Sequence, residues 1–344
     1  MIQIVNSLRN NLITVLKNKD VPLGLSNGKM GFCIYFYLLS SIDNNSNYSR
    51  IADDLLDEIF EEIGELDDID IKNGLAGIGL GINYLIKNGF VDGDINALIK
   101  EIDDTIFLNL SYPKYYEKID FLTFIQTLYY MCIRLQDQPQ SSENEYLYKE
   151  LIIHSVNRLQ LYWSSDFFDE PVTYDIDFFL PKLLFVLSEI YKLGFYNYRV
   201  MKIIEELSYK VLSTIPILQS NKLHLLWGIK ALNKQIKDKM WERHMIILKD
   251  QIDIDHILNY ELNNKNIFFK DGIVSIYFLV DNLQNIFTSD EIESIKYKII
   301  SRINSSEVWS VLQDKQLCFE RYLGLYDGFI GTDLLLHKSQ LTHI

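Results

Sequence analysis

Hydrophobic side chains recur along almost the whole chain at three- and four-residue intervals, the spacing that places them on one face of an α-helix. The pattern runs through Leu8, Leu12 and Val15 near the start, and it returns at positions 191–212 and 292–303. Alternation of apolar and polar residues, which is typical of strands, is scarce. The sequence therefore predicts an all-α protein in which helices are joined by short polar turns.

A Gly-x-x-Gly pattern precedes an apolar helical segment three times, at 28–31, 74–77 and 328–331. Four degenerate copies are placed at Phe124, Phe179, Gly228 and Gly272, where the surrounding sequence has a similar helical pattern. The seven copies lie about 44 to 56 residues apart, so each unit has room for two helices. An open array would need polar capping repeats at its ends, whereas the last copy keeps Gly328 and Gly331, as an interior repeat would. We predict a closed α/α toroid of about seven helical pairs.

Two glycines three residues apart lie on one face at the start of a helix, where the missing Cβ lets another backbone segment approach closely. A phosphate-binding role is the alternative for the alternating Gly77, Gly79 and Gly81. No strand is predicted before them, and no phosphate-loop motif is present, so the pattern favours packing over nucleotide binding.

The chain has 344 residues, of which 48% are hydrophobic, enough to build a sizeable core. No Pro-, Gly- or Ser-rich linker divides it, and the polar stretches at 43–49 and 136–146 are short enough to be surface loops. We predict one domain that spans residues 1–344.

Acidic residues outnumber basic ones by 47 to 33, and the formal net charge is −14. Nucleic acid and anionic membrane surfaces would be repelled, so a basic or neutral partner is expected. No apolar run reaches the ~18 residues of a bilayer span, and the first residues lack the pattern of a secretion signal, so no membrane insertion is predicted.

Three widely separated cysteines, Cys33, Cys132 and Cys318, provide neither a disulfide framework nor a Cys-x-x-Cys metal motif. This usage predicts a cytoplasmic location. Cys33 follows the first Gly-x-x-Gly and is flanked by aromatic residues, which favours a place in the core.

Three segments, at 73–82, 187–194 and 328–336, carry a resemblance to the lanthionine synthetase C-like family, and the likeness extends over essentially the whole chain. The resemblance implies an α/α toroid with glycine-rich turns. Enzymes of this family join a cysteine thiol of a peptide to a dehydrated Ser or Thr of the same peptide, with the help of a zinc ion.

The family's zinc ligands are absent from the matching positions. Its fifth turn reads Trp-Cys-Tyr-Gly, and this chain has Leu226 in place of the cysteine. Its sixth turn reads Cys-His-Gly, and this chain has Lys270 and Asp271 before Gly272. One carboxylate beside a lysine does not make a zinc site, so neither a metal nor another cofactor is predicted. A substrate thiol with a pKa of ~8.5 would then stay mostly protonated at neutral pH.

The third and fourth turns differ in how well they match. The family's fourth turn carries a histidine that can protonate the enolate, and Phe178 stands there. Its third turn begins with an aspartate, which Asp120 matches. Asp120 is a candidate catalytic residue, with a helix N-cap as the alternative.

The remaining candidates lie near predicted turns. His224 and Asp271 are predicted to act with Asp120 as an acid–base set, against the alternative that His224 is a satisfied core residue. Arg321, Tyr322 and Asp327 flank the seventh turn and are predicted to bind a peptide backbone. The six histidines show no His-x-x-x-His spacing, so no metal pair is predicted.

We therefore predict a zinc-free lanthionine synthetase C-like protein that binds a precursor or modified peptide, or its modifying enzymes, during peptide maturation. The alternative is an enzyme that uses the cavity of the toroid for zinc-independent cyclase-like chemistry. A glycoside- or terpenoid-processing toroid is a weaker possibility, because no paired carboxylates and no Asp-rich box recur at the turns.

Overall fold

The computed structural model describes residues 2–162, 168–262 and 266–341, and this part of the chain contains helices and turns but no strand. The helices are α1 (Ile2–Asn18), α2 (Lys29–Asp43), α3 (Ser46–Glu62), α4 (Leu75–Lys87), α5 (Ile95–Leu98), α6 (Lys100–Ser111), α7 (Pro113–Tyr116), α8 (Phe121–Gln136), α9 (Glu143–Tyr162), α10 (Phe179–Lys192), α11 (Asn197–Ser213), α12 (Gln219–Ile236), α13 (Lys239–Asp250), α14 (Ile254–His256), α15 (Ile273–Asp281), α16 (Ser289–Asn304), α17 (Val308–Asp314), α18 (Gln316–Arg321) and α19 (Phe329–Leu341). A 3₁₀ turn covers Ile63–Glu65, and a π-helical turn covers Ile257–Glu261.

The longer helices alternate between two kinds. The first helix of a pair buries one face, as α3 does with Ala52, Leu55 and Ile59. The second helix is more fully buried, as in α2, where ten consecutive or nearly consecutive residues lie in the core. Seven second helices occur in the described ranges: α2, α4, α8, α10, α12, α15 and α19. The prediction of an all-α chain with about seven helical pairs is confirmed.

The chain divides into two compact units. Unit 1 comprises Met1–Asn109, Lys265–Val274 and Ile300–Ile344, and unit 2 comprises Leu110–Asn264 and Ser275–Ile299. The prediction of a single domain over residues 1–344 stays a prediction.

Two of the predicted repeat copies are wrong in register. Phe124 lies inside α8, which begins at Phe121, and Gly228 lies in the middle of α12, which begins at Gln219. A Cβ at Gly228 would overlap the backbone of Pro181 in α10. This glycine therefore allows two helices to pack closely and does not mark a turn.

A buried polar network links three helices of unit 1. The guanidinium of Arg9 in α1 donates two hydrogen bonds to the carboxylate of Asp333 in α19, at 2.8 and 3.0 Å. The Tyr35 hydroxyl in α2 donates to the same carboxylate at 2.6 Å. Arg9 also contacts His337, one helical turn after Asp333. Arg9 and Asp333 are 5% and 1% exposed, so the buried carboxylate is compensated mainly by Arg9, which also lies 3.5 Å from the Asp43 carboxylate.

Candidate functional site

Four turns of unit 1 share one construction, and we call residues 22–28, 68–74, 266–272 and 322–328 the turn cluster. Each turn ends on a glycine directly before a second helix. In each, the first N–H of the helix donates to the carbonyl seven residues earlier, at 2.7 to 3.1 Å: Lys29 to Pro22, Leu75 to Asp68, Ile273 to Asn266 and Phe329 to Tyr322.

Glycine is needed in these turns and in the helix starts after them because a Cβ would overlap the backbone of the turn. A Cβ at Gly28 would overlap the Pro22 carbonyl oxygen, and one at Gly77 would overlap the Ile71 carbonyl oxygen. Gly28 itself has an extended backbone with φ −126°, so no left-handed conformation is involved. The close approach expected from the Gly-x-x-Gly pattern is confirmed, and the approaching backbone is the turn that enters the helix.

Backbone hydrogen bonds connect the four turns to one another. Lys270 donates its N–H to the carbonyl of Tyr326 at 2.8 Å, Tyr326 donates to Ser26 at 3.2 Å, and Ser26 donates to Lys72 at 2.8 Å. These four residues hold the same position, two before the glycine that ends each turn. The four turns therefore lie side by side in unit 1.

The turn cluster places several predicted residues near one another. Asp271 and Asp327 occupy equivalent positions on hydrogen-bonded turns, and both are half-buried. Asp271 has a φ of 51°, in the left-handed region that Asp tolerates better than most residues. The Lys72 ammonium lies 4.6 Å from the centre of the Tyr326 ring. These groups can bind polar and backbone atoms of a ligand, but they include no thiol and no imidazole.

The other predicted binding residues adjoin the same turns. The Tyr322 ring is half-buried and stacks on Phe268, with the ring centres 5.3 Å apart. The Arg321 guanidinium is 5.5 Å from the centre of the Tyr322 ring. Tyr322 thus contributes to packing, and the predicted role of Arg321, Tyr322 and Asp327 in peptide binding stays a prediction.

Asp120 is the N-cap of α8. Its carboxylate accepts from the Thr123 N–H at 3.0 Å and from the Thr123 hydroxyl at 2.6 Å. The alternative reading of Asp120 as a helix cap is confirmed. This cap satisfies one of the free N–H groups at the start of the helix.

His224 lies within α12 and is only 1% exposed. Its ring is 6.3 Å from that of Phe178 and 5.7 Å from that of Trp227. Burial, and after it the ammonium of Lys182, lower the pKa of His224 to about 3. The imidazole is therefore neutral at pH 7 and a weak base. Asp120 and His224 belong to unit 2 and Asp271 to unit 1, so neither unit by itself holds the predicted acid–base set.

The residues present do not fit the zinc ion that the resemblance implies. Leu226 lies two turns inside α12 and is fully buried. The prediction that it belongs to the fifth turn is therefore wrong. The segment that does lead into α12 is Ile215, Pro216, Ile217 and Leu218, which provides no side-chain ligand. With Lys270 and Asp271 at the sixth turn, the donor set lacks every thiolate and imidazole. No group of three His, Cys, Asp or Glu residues suited to a metal ion occurs in the described ranges.

The start of α12 depends on residues that sequence reasoning missed. Glu170 accepts hydrogen bonds from the N–H groups of Ile217 and Leu218, at 2.6 and 2.8 Å. Glu261 accepts from those of Gln219 and Ser220, at 2.7 and 2.8 Å. Two carboxylates from distant segments thus cap a helix whose own N-cap residue is a leucine. A capping residue more than 40 positions away leaves no local signal.

Comparison with known proteins places the fold. No family model matches the chain, and no curated protein sequence matches it either. The structure is similar to that of nisin cyclase, with a TM-score of 0.67 over 98% of this chain and 94% of that chain, at 13% sequence identity. The fold is an α/α toroid.

The toroid confirms the fold that the glycine repeats and the resemblance predicted. At 13% identity the similarity concerns the fold, and the chemistry has to be argued from this chain's own residues. None of the helices in the described part of this toroid is both long enough and apolar enough to cross a membrane.

Proposed function

We propose that this protein is a zinc-free member of the lanthionine synthetase C-like group that binds a ribosomally made, modified peptide during its maturation in the cytoplasm, alone or together with peptide-modifying enzymes. The proposal is carried by one observation. The chain has a toroid fold like that of nisin cyclase, and its own sixth turn holds Lys270 and Asp271. An ammonium and a carboxylate can bind a peptide, but they do not provide the thiolate and imidazole ligands that hold the family's thiol-activating zinc ion.

The proposal separates binding from ring closure, and each has its own assay. Dehydrated nisin precursor is incubated with the protein, and free thiols are counted by alkylation and mass spectrometry, with nisin cyclase as the positive control. Because the turn cluster lacks the ligands of a zinc ion, the thiol count is expected to stay unchanged. A loss of thiols that requires this protein would overturn the zinc-free binding role.

Binding itself is tested with a displayed library of random peptides selected on the immobilised protein. Enrichment of a shared peptide sequence that also binds as a free synthetic peptide is the expected result. If repeated selections enrich no such sequence, the peptide-binding role fails.

The second candidate function is zinc-independent cyclase-like catalysis by Asp120, His224 and Asp271. The half-buried carboxylate of Asp271 within the turn cluster is the observation in its favour, whereas the burial of His224 and the capping role of Asp120 weaken it. If Asp271 is catalytic, Asp271→Asn abolishes an activity and leaves the melting temperature unchanged. If Asp120 is only a cap, Asp120→Ser keeps both the stability and any activity, and Asp120→Ala loses about 1 kcal/mol of stability.

A further inference from the structure

Four aromatic side chains form a continuous belt across successive second helices of unit 2. The rings of Tyr129 and Phe185 are 5.6 Å apart, those of Phe185 and Trp227 are 5.0 Å apart, and those of Trp227 and Phe278 are 6.3 Å apart. They come from α8, α10, α12 and α15 in that order. We call these four residues the aromatic belt.

The aromatic belt keeps part of its surface open to solvent. Tyr129, Phe185 and Trp227 are half-buried, and Phe278 is 41% exposed. Phe124 and Tyr130, two other aromatic residues of α8, are by contrast fully buried. Single exposed aromatic residues are common on protein surfaces, whereas a row of partly exposed rings on four helices forms a contiguous patch. Such rings offer a large contact area at a low cost in side-chain entropy.

Two lysines border the aromatic belt without a carboxylate partner. Lys230 lies one turn beyond Trp227, and its ammonium donates to the carbonyls of Asn282 and Gln284 at 2.6 and 2.7 Å. Burial, and then the neighbouring ammonium of Lys234, lower the pKa of Lys230. Neither lysine forms an ion pair with any residue of the described ranges.

Two carboxylates near the aromatic belt are paired with lysines. Glu189, one turn beyond Phe185, pairs with Lys192 at 3.4 Å. Asp281, close to Phe278 in sequence, pairs with Lys296 at 2.7 Å. The uncompensated charge beside the aromatic belt is therefore positive, although the whole chain carries a net charge of −14. A positive site on an acidic protein selects a ligand that brings its own negative charge.

We infer that the aromatic belt, with Lys230 and Lys234, is a docking surface for a peptide segment in which an aromatic side chain lies within one or two residues of a carboxylate. The inference rests on the proposed peptide-binding function and gives it a location and a specificity. The aromatic side chain of the peptide stacks on Trp227, and the carboxylate pairs with the two ammonium groups.

The test uses the full-length protein, the random-peptide library and four variants. Phe278→Ala and Trp227→Ala remove belt rings, Lys230→Gln removes a charge, and Tyr198→Ala removes a ring that is 75% exposed on α11, outside the belt. The wild type is expected to enrich peptides with an aromatic residue close to Asp or Glu. A synthetic peptide of that sequence is expected to bind at least about tenfold more weakly to Trp227→Ala and to Phe278→Ala, and normally to Tyr198→Ala.

Charge is tested on the same peptide. Its Asp→Asn or Glu→Gln version is expected to bind the wild type several-fold more weakly, and this difference is expected to become smaller in Lys230→Gln, where only the Lys234 ammonium remains. Circular dichroism and melting temperatures establish that each variant folds, and of the two belt variants the one at the more exposed Phe278 is expected to affect folding less.

The outcomes separate this inference from the proposed function. If peptides are enriched but bind equally well to Trp227→Ala and Phe278→Ala, the belt is not the docking surface and peptide binding stands. If enriched peptides carry no acidic residue, the charge recognition is wrong. If the wild type enriches no peptide, both fail.

Discussion

At the scale of single residues, the most demanding position is Asp333. Its carboxylate compensates the buried Arg9 and accepts a hydrogen bond from Tyr35. Replacing it with Asn removes the buried countercharge of the guanidinium, which then keeps only the partly exposed carboxylate of Asp43, at 3.5 Å. We expect Asp333→Asn to lower the free energy of unfolding by about 3–5 kcal/mol, measured by urea denaturation.

The matched control is an ion pair at the surface. Asp255 and Lys298 are 2.7 Å apart, but their side chains are 58% and 45% exposed. Asp255→Asn is expected to cost less than about 1 kcal/mol because water screens both charges. Equal losses in the two variants would mean that the Arg9–Asp333 pair is not the buried contact described above.

His224 makes stability depend on pH. Its folded pKa of about 3 lies below the unfolded value of ~6.5, so between these values the unfolded chain binds a proton that the folded chain does not. The free energy of unfolding is therefore unaffected by His224 above pH 6.5, and it decreases as the pH falls from 6.5 to about 3. Within that window each such proton contributes a slope of about 1.4 kcal/mol per pH unit.

We expect His224→Asn to reduce this slope by up to one proton, measured from denaturation curves between pH 4 and 7. Burial also lowers the pKa values of His244 and His337, so part of the slope is expected to persist. A ring resonance of His224 that titrates near pH 6.5 in the folded protein would contradict the expected burial.

At the scale of elements, the four turns of the turn cluster pack closely against glycines, in the turns and in the first turn of the following helix, that have no room for a Cβ. In α4 the Cβ of an alanine at position 77 would collide with the Ile71 carbonyl, and rigid backbone cannot move aside cheaply. We expect Gly77→Ala to lower the free energy of unfolding by about 1–3 kcal/mol, measured by chemical denaturation.

Gly64 and Gly81 are the matched comparisons. A Cβ at Gly64 meets nothing within 4 Å, so Gly64→Ala is expected to change stability by less than about 0.5 kcal/mol. A Cβ at Gly81 meets the thioether of Met30, which can change rotamer, so an intermediate loss is expected. A loss at Gly64 as large as that at Gly77 would show that the close approach to Ile71 is not the cause.

At the scale of the whole molecule, the decisive property is whether the toroid holds zinc. The donor residues at the fifth and sixth turns do not fit that ion, so we expect far less than one zinc per chain by inductively coupled plasma mass spectrometry. Added zinc is likewise expected to leave the melting temperature unchanged, since a ligand that binds only the folded state would raise it. Near-stoichiometric zinc would point to other ligands and would make ring-forming catalysis the leading function.

Sequence reasoning reached the fold through local patterns. Helical periodicity and the glycines at 28, 74 and 328 predicted the all-α class and the helical pairs, because spacing along a helix and steric space at its start are set by nearby residues. Asp120 was recognised as a possible N-cap for the same reason, since a cap acts within three residues. The register failed at Gly228, where the glycine serves contact with α10 and not a turn.

The amino-acid sequence by itself thus determined the helical class, the repeated Gly-x-x-Gly turns and the absence of thiolates and imidazoles from the sixth turn. Only the tertiary structure decided where α12 begins, that His224 is buried, and that Tyr129, Phe185, Trp227 and Phe278 form one surface. The physical reason is the range of the interactions. The capping carboxylates of α12, the groups that desolvate His224 and the neighbours in the aromatic belt are mostly 40 or more residues apart along the chain, and packing alone brings them together.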